Sequence, residues 1–193
     1  MVTEVAFSAL LAALAAQRLL ELRKSRRNEA YLFARGAREH APEQMPWMQL
    51  LHGSWFFAML LEVWLLGAEV LPMLSTIAFA VFLIGQTLRY AAMHALKERW
   101  TVRILTLPAA PPVVEGSYQY LRHPNYLGVI LEIAAVPLLH GAWRSAVVFT
   151  LANAALLAWR IRVEEAALAE DNAYDERFKK TARLLPRLSR QEP

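Results

Sequence analysis

A short polar stretch between Gly116 and Gly128 combines the side chains of this sequence that could perform chemistry. It holds three tyrosines, an arginine, a histidine and an asparagine, and it lies directly before an apolar run. Charged groups at membrane depth are costly, so such a cluster indicates a polar pocket at the mouth of a membrane helix. The alternative is a belt of tyrosine and arginine that only anchors the helix end in the membrane interface.

A second polar cluster follows the last apolar run and consists of Arg160, Glu164 and Glu165. Arg160 and Glu164 lie four residues apart, so on a helix they share one face and can pair. As an interfacial salt bridge alone, such a pair would contribute under about 1 kcal/mol. The order of the apolar runs brings both clusters to the same side of the membrane, where they can form one site.

The composition indicates the class of protein. With 193 residues, 56% of them hydrophobic, and a mean hydropathy of +0.26, the chain is long enough for one domain and too apolar for an ordinary soluble one. Its net charge of +4 comes from basic residues between apolar runs, so we expect contact with membrane lipids and no nucleic-acid partner. The absence of cysteine excludes disulfides, thiolate catalysis and cysteine-ligated zinc.

Hydropathy predicts an all-α integral membrane protein in a single domain, residues 1–193. About five transmembrane helices are expected, with a cytoplasmic pocket and a C-terminal amphipathic helix over 165–180 that is broken near Asp171 and Asn172. Glu62 in the second span is expected to face the protein interior or a cavity. The predicted spans are 5–22, 47–66, 73–92, 126–139 and 143–160, and the catalytic half covers about 97–185.

The distribution of basic residues predicts the orientation. Four of the five residues from Arg23 to Arg27 are basic, and the positive-inside rule places this loop in the cytoplasm. The amino terminus is then outside, while the carboxyl terminus and both polar clusters are cytoplasmic. The first apolar run has no basic region ahead of it and no cleavage pattern, so we expect a retained helix.

Several catalytic classes find no support in the motifs. The five histidines never pair at helical spacing and form no His-Glu-x-x-His pattern, so no metal site is expected. No Gly-x-Ser-x-Gly elbow occurs, and the seven glycines do not form a phosphate-binding loop. These observations argue against nucleotide hydrolysis and a dinucleotide-binding domain, and the lack of an inverted repeat argues against a transporter.

The two clusters together resemble the isoprenylcysteine carboxyl methyltransferase family, whose members are multi-span membrane enzymes that use S-adenosylmethionine. The resemblance covers roughly the second half of the chain. It implies that the expected cytoplasmic pocket binds the cofactor S-adenosylmethionine. It rests on the motif Gly116-x-Tyr118-x-x-x-Arg122-His123-Pro124-x-Tyr126-x-Gly128, on Glu164-Glu165, and on the run from Tyr174 to Lys179.

The resemblance implies a role for each matching residue. Arg160 matches a family arginine that meets the methyl acceptor, and with Glu164 it forms the expected catalytic pair. Arg122 and Glu165 are expected to bind the substrate beside it, and S-adenosylhomocysteine is the expected product. Ala110-Pro-Pro-Val113 stands where relatives carry His-x-Leu-Val. The expected cofactor contacts are Arg103, Val113, Tyr118, His123, Pro124, Asn125, Tyr126 and Glu164.

The first half of the chain resembles a bacterial branch of the family that occurs with type III polyketide synthases. The residues concerned are Arg35-Gly36-Ala37-x-Glu39, Pro46 and Leu51-His52. This branch implies an enzyme of the bacterial inner (plasma) membrane, functionally linked to such a synthase, that O-methylates a lipophilic alkylated phenol or hydroxypyrone.

The acceptor decides whether a base is required. A phenol, with a pKa of about 10, must lose its proton, and Glu164 or His123 could receive it while Arg160 stabilises the oxyanion. A prenylcysteine carboxylate, the alternative acceptor, is already ionised at neutral pH. The alternative of another class is a non-catalytic membrane scaffold or lipid-binding protein built of the same helical hairpins.

Overall fold

The computed structural model of the chain describes residues 1–171, 174–179 and 181–184. Within these residues five long helices pack into one bundle, which confirms the expected all-α membrane fold. Two short strands and two turns of 3-10 helix, Lys97–Arg99 and Gly116–Gln119, lie at one end of the bundle. In chain order the elements are α1 (Val2–Phe33), β1 (Arg38–His40), α2 (Gln44–Leu65), α3 (Pro72–Leu96), β2 (Ile104–Thr106), α4 (Pro124–Leu138), α5 (Trp143–Asp171) and α6 (Tyr174–Phe178).

The apolar character of the helices makes this an integral membrane protein. Within the described chain, three segments are long and apolar enough to cross a membrane: Val2–Phe33, Pro72–Arg99 and Trp143–Glu170. α4 is a shorter apolar helix. α2 has 22 residues, enough to span the hydrocarbon core, but polar residues such as His52 and Glu62 lower its hydropathy.

Two helices run well past the ends predicted from hydropathy. α1 continues from residue 22 to Phe33 and stops before Gly36, which has a φ of +83°. α5 continues through Glu164 and Glu165 to Asp171. The first part of the predicted amphipathic helix, from residue 165, is therefore the end of α5 and not a separate element. The break predicted near Asp171 and Asn172 falls at the edge of the described residues, and Asn172 lies outside them.

Glu62 joins α2 to the start of α5. Its side chain is 3% exposed, and its carboxylate accepts hydrogen bonds from the backbone N–H groups of Arg144 (2.9 Å) and Ser145 (2.7 Å). The Ser145 hydroxyl also donates to it at 2.7 Å. These N–H groups have no partner inside α5, and a carboxylate at a helix N-terminus is favourable. Glu62 thus faces the protein interior as predicted, where it caps α5.

α3 and α4 approach each other closely at two glycines. A Cβ atom added at Gly128 would lie 2.7 Å from the carbonyl oxygen of Gly85 and 2.6 Å from Cγ of Arg89. Small residues of this kind allow membrane helices to pack backbone against backbone. The contact fixes the first turns of α4, which carry Tyr126, against the wall formed by α3.

Four charged side chains, three of them buried and one, Arg18, partly buried, form an ionic network between α1, α3 and α4. Arg18 donates to Glu21 at 2.5 Å and also to Glu132. Arg89 donates to Glu21, and its Nε lies 3.4 Å from Oε1 of Glu132. Two positive and two negative groups balance each other in this network, which makes their burial tolerable.

Polar contacts attach the extension of α1 to the loop that follows α3. The side chain of Asn28 donates to the carbonyl oxygens of Trp100 (2.7 Å) and Lys97 (3.2 Å). The backbone N–H of Val102 donates to the Ser25 hydroxyl at 2.8 Å. Beyond α1, β1 pairs antiparallel with β2, in the register Arg38 to Thr106, Glu39 to Leu105 and His40 to Ile104.

We predict that Glu132→Gln destabilises the bundle by about 3–5 kcal/mol, because it leaves two arginines with one buried carboxylate. Thermal unfolding in detergent or lipid nanodiscs measures the effect. The double variant Arg18→Gln/Glu132→Gln restores charge balance and should melt at a higher temperature than Glu132→Gln alone.

The matched control is Arg144→Ala. The Arg144 side chain is 54% exposed and its Nη1 lies 3.9 Å from Glu62, so its removal should cost under about 1 kcal/mol. Equal melting temperatures for Glu132→Gln and the unmodified protein would contradict the proposed contribution of the ionic network to stability.

Candidate active site

A cavity opens at the end of the bundle where α1 and α3 finish and α4 begins. The space within it, counted together with the open solvent at its mouth, is about 870 Å³. Apolar walls come from Leu32 of α1, Leu96 of α3 and Leu168 of α5. Seven of the residues expected from the sequence line it: Arg103, Val113, Tyr118, Arg122, Tyr126, Arg160 and Glu164.

The hydroxyl of Tyr126 joins the two residues expected to be catalytic. It donates a hydrogen bond to Oε2 of Glu164 and accepts one from Nε of Arg160 at 2.8 Å. Arg160 also donates to the carbonyl oxygen of Val102. Arg160 and Glu164 share one face of α5, as their spacing predicts, but they meet through the phenol of Tyr126.

Three of the expected cofactor contacts, His123, Pro124 and Asn125, do not line the cavity. The His123 ring is 4% exposed and stacks on Tyr126, with the ring centroids 5.4 Å apart. Pro124 occupies the first position of α4, where its fixed φ suits a helix start. Oδ1 of Asn125 is buried without a hydrogen-bond partner. His123 is placed to support Tyr126, and direct contact of all three residues with a cofactor stays a prediction.

Glu165 contacts the C-terminal segment, whose described residues are 174–179 and 181–184. The Glu165 carboxylate accepts from Arg183 at 2.7 and 3.1 Å, and it lies 3.2 Å from Nε2 of His123 and 3.6 Å from Nη1 of Arg122. Partial burial opposes ionisation, but the hydrogen bonds from His123 and Arg183 outweigh it and lower the pKa of Glu165. Glu165 does not line the cavity.

Backbone pairing holds the same segment against the start of α4. The N–H of Arg122 donates to the carbonyl of Ala182 at 2.8 Å, and that of His123 donates to the carbonyl of Arg183 at 3.1 Å. Nε of Arg122 donates to the carbonyl of Thr181 at 2.8 Å. We call the contacts of Glu165 with Arg122, His123 and Arg183 the Glu165 clamp.

Arg103 forms a fixed part of the cavity wall. Its Nη1 donates to both carboxylate oxygens of Glu39 at 2.8 Å, and its Nε lies 3.3 Å from Oε2 of Glu29. The proline-rich loop on this side is held by Arg99, which donates to the carbonyl of Pro111 at 2.7 Å. Two acidic side chains therefore pair with Arg103 at the point where a cofactor contact was expected.

Tyr118 projects from the 3-10 turn into the cavity lining. Burial raises the pKa of its phenol well above 10, and the nearby carboxylate of Glu164 acts in the same direction. The phenol is therefore uncharged at neutral pH. Tyr118 can offer an aromatic face or a hydrogen bond to a ligand, but not a negative charge.

Some lining residues were not found from the sequence. Leu32 lies on a buried stripe of α1 with Ser25 and Asn28, and the three residues follow each other at helical spacing. A prediction that continued the first helix past residue 22 would have found this stripe. Tyr174 and Phe178 of α6 complete the wall, with ring centroids 4.8 Å apart. Their position depends on the Glu165 clamp, which no local pattern indicates. Within the described residues no group of three His, Asp or Glu is placed to hold a metal ion.

Known proteins share this sequence pattern. Residues 76–170 match the sequence profile of the isoprenylcysteine carboxyl methyltransferase (ICMT) family. The uncharacterized protein YpbQ of Bacillus subtilis is 37% identical over 164 residues, which are 85% of this chain and 97% of that protein. An uncharacterized protein of Haemophilus influenzae is 30% identical over 161 residues, which are 82% of this chain and 92% of that protein.

A solved structure shares the fold. The chain is similar to the eukaryotic intramembrane Ras methyltransferase ICMT, with a TM-score of 0.61 over 74% of this chain and a sequence identity of 20%. The match covers 53% of that enzyme, so this chain spans about half of the length of the eukaryotic structure.

We predict that Glu165→Gln releases the C-terminal segment. The neutral amide cannot balance Arg122 and Arg183, so trypsin should cleave after the exposed residues Arg177 and Lys179 several-fold faster than in the unmodified protein, as followed by mass spectrometry. Glu176→Gln, an exposed substitution on α6, is the matched control and should leave the cleavage rate unchanged.

The clamp should also depend on pH. The folded-state pKa of Glu165 lies below its ordinary value of 4.5, so the clamp stabilises the segment fully above pH 4.5 and weakens as pH falls through the folded-state pKa. Hydrogen exchange at residues 181–184, corrected for the intrinsic effect of pH, should therefore accelerate below pH 4.5. The same exchange in Glu165→Gln should lack this added pH dependence, and equal profiles would refute the assignment.

Proposed function

Because the chain belongs to the isoprenylcysteine carboxyl methyltransferase family of membrane methyltransferases, we propose that it moves a methyl group from S-adenosylmethionine to an oxygen of a lipophilic acceptor. S-adenosylhomocysteine is the second product. The observation that carries the proposal is the placement of one oxygen atom, the Tyr126 hydroxyl, between Nε of Arg160 and the carboxylate of Glu164 in a cavity at the helix ends.

The residues present fit the proposed cofactor. The aromatic faces of Tyr118 and Tyr126 and the carboxylate of Glu164 line the cavity, and such groups attract a sulfonium cation. The guanidinium of Arg122 lies in the same lining and suits a carboxylate. Bound S-adenosylmethionine would supply the methyl group as an activated sulfonium.

The side chains of this chain would align and activate the acceptor. Methyl transfer forms an O–C bond and breaks the C–S bond, whose electron pair stays on sulfur, so the protein mainly has to align the two reactants and exclude water. Leu32, Leu96 and Leu168 give the cavity an apolar side for a lipophilic acceptor. The polar cofactor would enter from water and the acceptor from the bilayer.

We favour an alkylated phenol or hydroxypyrone as the acceptor. The site already accommodates one phenolic hydroxyl, that of Tyr126, with a donor on one side and a carboxylate on the other. A phenolic acceptor in contact with the same two groups would pass its proton to Glu164, and Arg160 would stabilise the oxyanion that attacks the methyl group. This chemistry is also the reason to propose a functional link with a type III polyketide synthase.

A prenylcysteine-like carboxylate is the second candidate, favoured by the Ras methyltransferase of similar fold. Arg160 and Arg122 both line the cavity and could bind such a carboxylate. This acceptor is already ionised, so it would need no base.

We further propose that the cavity faces the cytoplasm of a bacterial inner-membrane protein, with the amino terminus outside. Arg23, Lys24, Arg26 and Arg27 are exposed on the extension of α1, at the same end of the bundle as the cavity. Basic residues at the end of a membrane helix favour the cytoplasmic side.

Incubation of the purified protein with labelled S-adenosylmethionine and three acceptors, an alkylresorcinol, an alkylpyrone and a prenylcysteine, tests the proposal. Label on the resorcinol or pyrone is the expected result, and label on the prenylcysteine alone would favour the carboxylate acceptor. Calorimetry with S-adenosylhomocysteine tests the non-catalytic scaffold, which has no reason to bind it. No label and no binding would refute the proposed function.

We predict that Glu164→Gln lowers kcat for a phenolic acceptor by about 10² to 10⁴, because the amide cannot receive the proton. Arg160→Ala should cause a comparable loss with either acceptor, since both develop or carry negative charge on oxygen. Methylation rates with labelled S-adenosylmethionine measure both effects, and thermal unfolding verifies that the variants are folded.

Exposed neighbours on α5 provide the controls, Arg162→Ala for Arg160 and Glu170→Gln for Glu164. Both should retain turnover within about twofold, since surface substitutions away from a site have small effects. Near-normal turnover of folded Arg160→Ala and Glu164→Gln would remove both residues from the reaction.

A further inference from the structure

Tyr174 carries a buried hydroxyl that no described group of the protein satisfies. The side chain is 3% exposed and lines the cavity. Among the described residues that line the cavity, its Oη is the one buried side-chain oxygen or nitrogen without a hydrogen-bond partner. Buried polar groups in native proteins are nearly always paired, so an orphan of this kind in a cavity wall points to a ligand.

The charges around Tyr174 make its hydroxyl a hydrogen-bond donor. Burial raises the pKa of its phenol above 10, Glu164 and Glu165 raise it further, and Arg122 and Arg183 oppose them. The phenol therefore keeps its proton at neutral pH. Arg122 lines the same cavity as Tyr174.

The two neighbouring carboxylates are already engaged by other groups. Glu164 accepts a hydrogen bond from the Tyr126 hydroxyl, and Glu165 is held by Arg183, His123 and Arg122 in the Glu165 clamp. A neutral donor beside a guanidinium is complementary to an anionic oxygen. The amino-acid end of S-adenosylmethionine carries such an oxygen, as a carboxylate.

We infer that the hydroxyl of Tyr174, together with Arg122, binds the carboxylate of the amino-acid end of the cofactor. This inference rests on the proposed function, since it assumes that S-adenosylmethionine is the methyl donor. It assigns a binding role to α6, which lies in the run from Tyr174 to Lys179 that the sequence marked only as a point of resemblance to the family.

Glu165 acts in this binding as a positioning residue. The clamp joins α5 to residues 181–183, which also pair with Arg122 and His123 through their backbones. Tyr174 lies on the chain between α5 and this anchored stretch, and its ring packs against Phe178. Loss of the clamp would therefore displace the Tyr174 hydroxyl and remove the contact that holds the Arg122 guanidinium, the two groups inferred to bind the carboxylate.

Calorimetry with Tyr174→Phe and two probes tests the inference. Phenylalanine retains the ring packing with Phe178 and removes only the hydroxyl. S-adenosylhomocysteine, which has the carboxylate, should bind about tenfold more weakly, equivalent to about 1.4 kcal/mol. Binding of 5′-methylthioadenosine, which lacks the amino-acid end, should be unchanged.

The control variants distinguish the loss of one contact with the carboxylate from a general loss of ligand binding. Tyr120→Phe, at a tyrosine that is 71% exposed, should bind both probes as the unmodified protein does. Glu165→Gln should weaken S-adenosylhomocysteine and spare 5′-methylthioadenosine, and the double variant Glu165→Gln/Tyr174→Phe should lose little more than either single variant.

Two results would overturn the inference while leaving the proposed function in place. Undiminished binding of S-adenosylhomocysteine by folded Tyr174→Phe would exclude the hydroxyl as a contact. Equal weakening of both probes would place the contact on the nucleoside, not on the carboxylate. Failure of the unmodified protein to bind either probe would refute the proposed function, and the inference with it.

Discussion

The balance of charge among Arg18, Glu21, Arg89 and Glu132 is the constraint on which the rest of the structure depends. These side chains come from α1, α3 and α4, the helices whose ends carry Leu32, Leu96 and Tyr126 into the cavity. A lone charge in this position would be expelled or would distort the bundle, whereas a neutral set of four fixes the register of three helices at once. The close contact of Gly85 with Gly128 lies in the same interface of α3 and α4, so a polar interaction and a close backbone contact together position the helix ends that form the cavity.

The two adjacent glutamates of α5 show how one helix serves two surfaces. Consecutive residues on an α-helix point about 100° apart, so Glu164 and Glu165 face different neighbours. Glu164 faces the cavity and the hydroxyl of Tyr126, while Glu165 faces Arg183 and the C-terminal segment. One carboxylate is therefore available for chemistry, and the other is committed to the wall of the site.

The sequence was sufficient for features that depend on local pattern and insufficient for those that depend on tertiary contact. Hydropathy located five helices because burial in lipid is a property of each segment. Hydropathy ended the first helix at residue 22 because the charged residues that follow are unfavourable in the bilayer. Arginine, lysine and glutamate nevertheless continue a helix readily in water, so α1 extends beyond the membrane. The pairing of β1 with β2 and the contact of Arg103 with Glu39 join residues distant in sequence, and these contacts required the fold. The lack of a partner for the Tyr174 hydroxyl likewise depends on which residues the fold brings near it.

The single continuous α1 has a mechanical consequence. With 32 residues at a rise of about 1.5 Å, it is a rod of about 48 Å, longer than the hydrocarbon core of a bilayer. Asn28 and Ser25 attach its inner part to the loop that forms one wall of the cavity. A membrane helix adjusts its tilt to the thickness of the bilayer. Because α1 is one continuous helix, a change of tilt in the membrane also moves its end beside the cavity. The lipid composition of the host membrane is thereby geometrically linked to the width of the cavity at Leu32.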